Sequence, residues 1–421
     1  MSFEVLVDRE LIRAKARSVR YLLVRIEAPA QESHDRLPVD VSFVLDRSGS
    51  MGGEKITMAR KAVGDAIGSL RDADRFSVVA FDDRIDLVVP STQGTREARR
   101  EARGVVERLR ERGMTDLSGG WLRGCEQIAG SLDDGALGRC LLMSDGLANR
   151  GITDRGELVR HAEELRRRGV ATSAFGFGRD FDEVLLQEMA QAGGGNFYYV
   201  EKASQIPDFL ASEVGEALEV VARDVRILVD TRADVLVESM GELPVRRAGG
   251  QTTVEIGSLV SEQVYETVLR LEFPEGKIGD EQPIRLILDD RDHAVQRSVF
   301  KFELTYQSHA RNTRQPRNHE VDRHVARLYA ARARAEAVEF NRAGDLSNAQ
   351  NVLRATAERI EQYAAGDPEL LALVAELSDR VQSHAEVYEM AELKSEYAAS
   401  WHVLQSRDEG GKAMRRQSGD Y

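Results

Sequence analysis

The chain has 421 residues, and single hydrophobic cores stop growing at about 250–300 residues, so more than one domain is expected. Its 71 acidic and 58 basic side chains give a net charge of −13, which argues against a general nucleic-acid or anionic-membrane binder and leaves only a local basic patch open. Two cysteines, Cys125 and Cys140, exclude a disulfide-rich framework, and 42% hydrophobic with 31% charged residues is ordinary for a soluble globular chain.

The first residues, Met1-Ser2-Phe3-Glu4-Val5, show no basic region followed by an apolar core, so no signal peptide is read. No stretch of about 18 uncharged apolar residues follows, so no membrane span is expected. The expected location is the cytoplasm. Residues 3–7 and 20–26 have strand character.

From about residue 38 to 220 short apolar runs alternate with amphipathic stretches. The strand candidates are Val39–Leu45, Phe76–Phe81, Ile85–Val89, Cys140–Met143, Ala171–Phe177 and Phe197–Val200. Between them, Lys55–Leu70 carries Ile56, Ala59, Val63, Ile67 and Leu70 at helical spacing. Thr95–Arg112, Leu117–Leu132, Gly156–Arg168, Asp182–Ala192 and Gln205–Val220 read similarly. Strands alternating with helices predict a doubly wound, mostly parallel α/β sheet, which binds ligands beyond the carboxyl ends of its strands where strand order reverses.

Residues 223–306 change to strand signals punctuated by turns such as Gly249-Gly250 and Pro274-Glu275-Gly276. Residues 307–318, rich in Arg and Asn, read as a linker. Residues 319–405 read as a helical hairpin or bundle, with a turn at Ala343-Gly344-Asp345 and a further helix started by Asp367-Pro368. Residues 406–421 read as a disordered tail. Arg311, Arg314, Arg317, Arg323 and Arg327 gather positive charge around the linker, where a solvated face is the plainer reading. Arg415-Arg416-Gln417-Ser418 resembles a kinase site, a short pattern that also arises by chance.

The chemistry concentrates in three loops. Asp46-Arg47-Ser48-Gly49-Ser50 follows the apolar run Val41–Leu45, and places a carboxylate and two hydroxyls at alternate positions. Such oxygen-only clusters suit Mg²⁺, Mn²⁺ or Ca²⁺. Alone, the same residues serve any turn or helix cap. Gly113-Met114-Thr115-Asp116 and Met143-Ser144-Asp145-Gly146 are two further loops able to complete a site. Asp116 is better read as a helix cap, Asp82 and Asp83 as turn residues, and Met51 and Met143 as packing residues.

Together, Asp46-x-Ser48-x-Ser50, Thr115 and Asp145 resemble the metal-ion-dependent adhesion site of von Willebrand factor A (VWA) domains. The resemblance implies that Ser48, Ser50 and Thr115 ligate a divalent cation, with Mg²⁺ first and Mn²⁺ or Ca²⁺ as alternatives. Asp46 and Asp145 would give it anionic support. It implies a non-enzymatic module in which the cation captures a Glu or Asp of a partner protein. Similarity to VWA subunits that work beside AAA+ ATPases adds such an ATPase as a candidate partner. Similarity to bacterial intracellular VWA proteins implies one β-sandwich built from residues 1–37 and 221–306, with the VWA domain, 38–220, inserted in it.

Two other classes stay open. A phosphohydrolase of the phosphoaspartyl type would also place an Asp and Mg²⁺ after the first strand, but Ser48 stands where its second carboxylate belongs. A metal-free scaffold is the other. No Walker A sequence or nucleophile elbow occurs, and His319 and His324 are spaced to diverge around a helix rather than share a zinc.

Overall fold

The structure, a computed structural model, describes residues 1–31, 36–133, 135–179, 181–241, 243–291, 298–408 and 410–416. The chain opens with β1 (Ser2–Val7), β2 (Leu11–Arg13) and β3 (Ser18–Glu27). The α/β unit follows. Its strands are β4 (Val39–Asp46), β5 (Arg75–Phe81), β6 (Ile85–Gln93), β7 (Leu137–Ser144), β8 (Val170–Phe177) and β9 (Gly194–Val200). Its helices are α1 (Glu54–Ser69), α2 (Arg96–Val106), α3 (Leu117–Ala129), α4 (Arg155–Arg167), α5 (Glu183–Ala192) and α6 (Ile206–Ala217).

The sheet order is β6-β5-β4-β7-β8-β9, parallel except for the β5–β6 edge pair. Every residue of β4 and β7 is buried, and successive strand side chains point to opposite faces, so both faces of the sheet centre are covered. The chain leaves β4 for β5 on one side and later returns to β7 on the other. The carboxyl ends of β4 and β7 therefore flank the point where strand order reverses, and Asp46 and Ser144 end those strands.

Helix α2 ends at Val106, short of the expected Arg112. The carbonyls of Glu107 and Leu109 accept from Arg60 Nη1 at 3.1 and 2.7 Å, and Arg112 N turns away to donate to Arg47 O at 2.7 Å. Those bonds bring the following loop back to the exit of β4. Residues Met390–Ala398 also group with this unit, where Lys394, buried, donates to Phe181 O at 2.5 Å and pairs with Glu183 at 3.0 Å.

The other unit takes strands from both flanks. These are β1–β3 together with β10 (Val220–Asp230), β11 (Leu236–Ser239), β12 (Val245–Ala248), β13 (Gln251–Val260), β14 (Val264–Phe273), β15 (Glu281–Asp289) and β16 (Ser298–Gln307). Two sheets result, ordered β1-β3-β14-β11 and β12-β13-β10-β15-β16-β2, antiparallel except for the β16–β2 pair. Leu22, Val24, Ile26 and Leu271 of one sheet share a core with Ile227, Val229, Val254 and Leu286 of the other.

The segment read as a linker is ordered. It forms α7 (His309–Arg314), capped by Ser308, and Asn312 and Gln315 donate to Leu11 O at 2.9 and 3.1 Å. Next come α8 (His319–Arg342), α9 (Leu346–Ala364), α10 (Pro368–Ser383) and α11 (Met390–Leu404). Small alanines on α8 (Ala326, Ala330, Ala333, Ala337) let α9 pack closely through Ala349, Leu353, Ala357 and Ile360. Asp345 caps α9, and Asp367 caps α10 with Pro368 at its first position. Val321, Val325 and Leu328 of α8 cover Leu23 and Val268 on the outer face of the smaller sheet. His324 bonds Glu266 Oε2 at 2.8 Å, which gives it a partner on that sheet rather than a metal.

Residues 410–416 correct the expectation of disorder over the start of the tail: Val264 N donates to Met414 O at 2.8 Å and Gln263 pairs with Arg415. Unpaired backbone groups beside β14 give this short segment an edge to bind. Ser418 lies outside the described residues. Among the described residues no helix is long and apolar enough to cross a membrane.

Candidate functional site at the β4–β7 edge

The site grows from the end of β4. Asp46 is fully buried, with Oδ1 accepting from Ser48 N at 2.8 Å and Oδ2 from Ser144 Oγ at 2.6 Å. Burial raises its pKa to about 6, against the pull of these hydrogen bonds and with some help from the nearby Asp145 charge. The loop then turns through Gly49, presenting two hydroxyls side by side: Ser48 Oγ and Ser50 Oγ are 3.1 Å apart. Ser50 Oγ donates to Asp145 Oδ1 at 2.7 Å, and Lys55 Nζ pairs with Asp145 Oδ2. Four of the five sequence-predicted residues, Asp46, Ser48, Ser50 and Asp145, thus lie in one hydrogen-bonded chain.

Thr115 arrives from the third loop. It is buried, and a Cβ placed on Gly146 would come within 2.9 Å of its Oγ1, so only glycine after Asp145 lets the two loops meet. Gly113, two residues before Thr115, has φ +71°, and a Cβ there would strike Asp83 Oδ1 at 2.2 Å. Gly49 N donates to Gly113 O at 3.2 Å and Asp116 N to Asp82 O at 2.8 Å, which ties this loop to its neighbours. Asp116 caps α3, accepting from Gly119 N at 2.9 Å.

Sequence reasoning missed the group that holds these loops in place. Arg47, the residue between Asp46 and Ser48, is nearly buried; its Nε bonds Asp82 Oδ2 at 3.0 Å and its Nη2 pairs with Asp86. Arg112 bonds the same two carboxylates, at 2.6 and 3.0 Å. Asp82 was read as a turn residue, and Arg84 N does donate to its Oδ1 at 2.7 Å, but it is also fully buried between two guanidinium groups. Burial alone would raise its pKa; the Arg84, Arg112 and Arg47 contacts outweigh that and hold it below the usual carboxylate range. The only hint in the sequence is the pair of arginines at the edges of two motif loops.

Met51 and Met143 are buried and pack. Cys125 and Cys140 are buried free thiols, and burial pushes Cys140 well up. Gly193 ends α5, so the glycine run Gly193–Gly195 is a helix end and turn.

A family model described as the von Willebrand factor type A domain matches residues 40–212. In fold the chain is similar to a von Willebrand factor type A structure from Catenulispora acidiphila, with a TM-score of 0.70 and 20% identity over 87% of each chain. In sequence it is similar to "Uncharacterized protein YfbK" of Escherichia coli (strain K12), 28% identical over 224 residues, 52% of this chain and 39% of the relative. It is also similar to "Uncharacterized protein sll0103" of Synechocystis sp., 28% identical over 279 residues, 63% of this chain and 65% of the relative. The chain therefore spans less than two thirds of the length of either curated relative. Domains of this type are commonly protein-interaction modules, are generally non-enzymatic, and often bind a divalent metal. The matched family and the doubly wound sheet with its β4–β7 edge agree, and residues 40–212 of this chain are a von Willebrand factor type A domain.

Proposed function

We propose that this domain is a divalent-cation-dependent, non-enzymatic protein-binding module that captures an exposed Glu or Asp of a partner. The observation that carries the reading is the spacing of oxygens at the β4–β7 edge. Ser48 Oγ, Ser50 Oγ and Asp145 Oδ1 follow one another at 3.1 and 2.7 Å. Ligand oxygens at the 2.0–2.1 Å distance of octahedral Mg²⁺ stand about 2.9 Å apart at adjacent positions, so the two serine hydroxyls are spaced to share one ion while Asp145 accepts from one of them. The donors are hydroxyls and carboxylates only, the set that favours Mg²⁺, with Mn²⁺ or Ca²⁺ as alternatives.

Ser48, Ser50 and Thr115 would hold the ion, and Asp46 and Asp145 would supply the compensating charge. Such an ion supplies a positive point to which a partner carboxylate can add in place of water. The chain's own part is to keep the oxygens fixed: Ser144 and the Ser48 amide orient Asp46, and the Arg47–Asp82–Arg112–Asp86 group holds the Thr115 loop against the serine loop. Ser48, two residues after Asp46, is not a proton donor near neutral pH, which disfavours a phosphohydrolase. An AAA+ ATPase in the cytoplasm is a partner to test, since residues 1–421 carry no Walker A sequence of their own.

The test is calorimetric titration of the full chain with Mg²⁺ and with Mn²⁺, beside Asp46→Ala and Thr115→Ala, with thermal unfolding as the control for folding. Saturable binding by the wild type, lost in a folded Asp46→Ala, is expected, followed by EDTA-sensitive capture of a carboxylate-bearing partner. Binding that survives Asp46→Ala, or none by the folded wild type, overturns the reading.

A further inference from the structure

Lys55 is the second residue of α1, where the positive end of the helix dipole disfavours a cationic side chain unless something compensates it. The compensation is Asp145. Lys55 Nζ pairs with Asp145 Oδ2 and lies 3.4 Å from Ser50 O, the backbone of a residue whose side chain bonds the other Asp145 oxygen. Asp145 is fully buried while the Lys55 side chain keeps 30% of its exposure, so the ammonium lies at the solvent side of the carboxylate. The loop after β8 also comes close, since a Cβ placed on Gly178 would lie within 3.3 Å of Nζ. The ammonium is thus surrounded by the loops that follow β4, β7 and β8.

We infer that Lys55 is a built-in competitor of the divalent cation: a tethered ammonium that neutralises Asp145 when the cation is absent and weakens the cation's binding when it is present. This rests on the metal-binding reading given above. Asp46 and Asp145 together carry two negative charges, so Lys55 leaves the metal-free site one charge short of neutral. With a divalent ion also bound the site carries one positive charge in excess. The first state reduces repulsion between two buried carboxylates. The second leaves a net positive site, suited to a partner carboxylate rather than to a neutral group. Lys55 would then lower affinity for the cation alone while strengthening capture of the anionic partner, which makes binding of cation and partner mutually supportive.

The alternative role for Lys55, merely orienting Asp145, predicts the opposite sign. Removing an orienting residue weakens the cation site; removing a competing charge strengthens it. The experiment is Mg²⁺ and Mn²⁺ titration of the full-length wild type, Lys55→Met, which keeps an apolar stem without the charge, and Lys55→Arg, which keeps the charge. Thermal unfolding of each confirms folding. A unit positive charge this near a divalent ion is worth about tenfold or more in affinity even when well screened, so Lys55→Met is expected to bind at least about tenfold more tightly, and Lys55→Arg to resemble the wild type. Equal or weaker binding by a folded Lys55→Met, with the wild type binding normally, overturns it and leaves the metal site intact. Failure of all three folded proteins to bind either ion overturns the metal-binding reading itself, and this inference with it.

Discussion

Two carboxylates, one fully buried in the α/β unit and one half-buried in the other, are treated in opposite ways. Asp46 of the α/β unit faces a hydroxyl and a backbone amide, and burial carries its pKa up to about 6. Glu266 of the β-sandwich unit is also pushed up by burial. Its bonds to His324 at 2.8 Å and Arg25 at 2.7 Å more than reverse this, and its pKa falls to about 2. Glu266 has Arg25 and His324 as built-in partners and holds β14, β3 and α8 together. Asp46 has neutral donors and stands at the end of a strand where sheets of this type bind ligands. A carboxylate left without a full counter-charge at such an edge is a candidate for a functional site, and a fully paired one for a structural joint.

The sharpest way to break that contrast lies within the α/β unit, because Asp82 is a compensated carboxylate only a loop away from Asp46. Asp82→Ala leaves Arg47 nearly buried with Asp86 as its remaining carboxylate. Removing one partner of a buried ion group costs about 3–5 kcal/mol, so a large drop in Tm is expected in a thermal unfolding scan. Asp83→Ala, one residue on and exposed, is expected to shift stability by less than about 0.5 kcal/mol. Equal effects of the two would mean that the turn, and not the charge group, matters.

Glu266→Gln tests the sandwich side. An acid whose folded pKa is depressed from 4.5 to about 2 stabilises the fold above the unfolded value and loses that contribution as pH falls through this range. At pH 7 the variant is expected to be less stable by on the order of 2 kcal/mol, with the difference closing between about pH 4.5 and 2 in denaturant titrations. A pH-independent difference would assign the loss to packing instead of charge.

What the sequence made legible follows from range. The oxygen cluster is local at its start, since Asp46, Ser48 and Ser50 sit within one loop after an all-apolar strand. Thr115 and Asp145 were picked out only through resemblance to the VWA motif, each lying in a loop of its own far along the chain. The turn at Ala343-Gly344-Asp345 announced the start of α9, and Asp367-Pro368 announced that of α10 by cap chemistry. The Arg47–Asp82 bond joins residues 35 apart and the Lys55–Asp145 pair residues 90 apart, and nothing in a turn-like Asp82-Asp83 or a helical Lys55 shows such a partner. The ordering of α7 and of residues 410–416 has the same cause. Polar and basic composition reads as linker or tail until a distant β edge or carbonyl, here those of β14 and Leu11, supplies the hydrogen bonds.

The smallest expected effect sharpens the comparison most finely, because it concerns the other end of the same strand. Asp40, in β4, is buried and accepts from Ser131 Oγ at 2.5 Å through Oδ2, while Oδ1 has no hydrogen-bond partner. Burial raises its pKa to about 6, as it does that of Asp46. Here the sign is the reverse of Glu266: an acid with a raised folded pKa costs stability as pH climbs from its unfolded value near 3.8 through 6. Asp40→Asn is therefore expected to stabilise the protein by about 1–2 kcal/mol at pH 7 and to make no difference near pH 4. Asp40 lies at the opposite end of β4 from the serine loop, so the same substitution there is also expected to leave Mg²⁺ titration unchanged. If Asp40→Asn gains stability at pH 7 and keeps its Mg²⁺ response while Asp46→Ala loses the response, an uncompensated charge alone is not what makes the β4–β7 edge a site; the hydroxyls and loops gathered around Asp46 are.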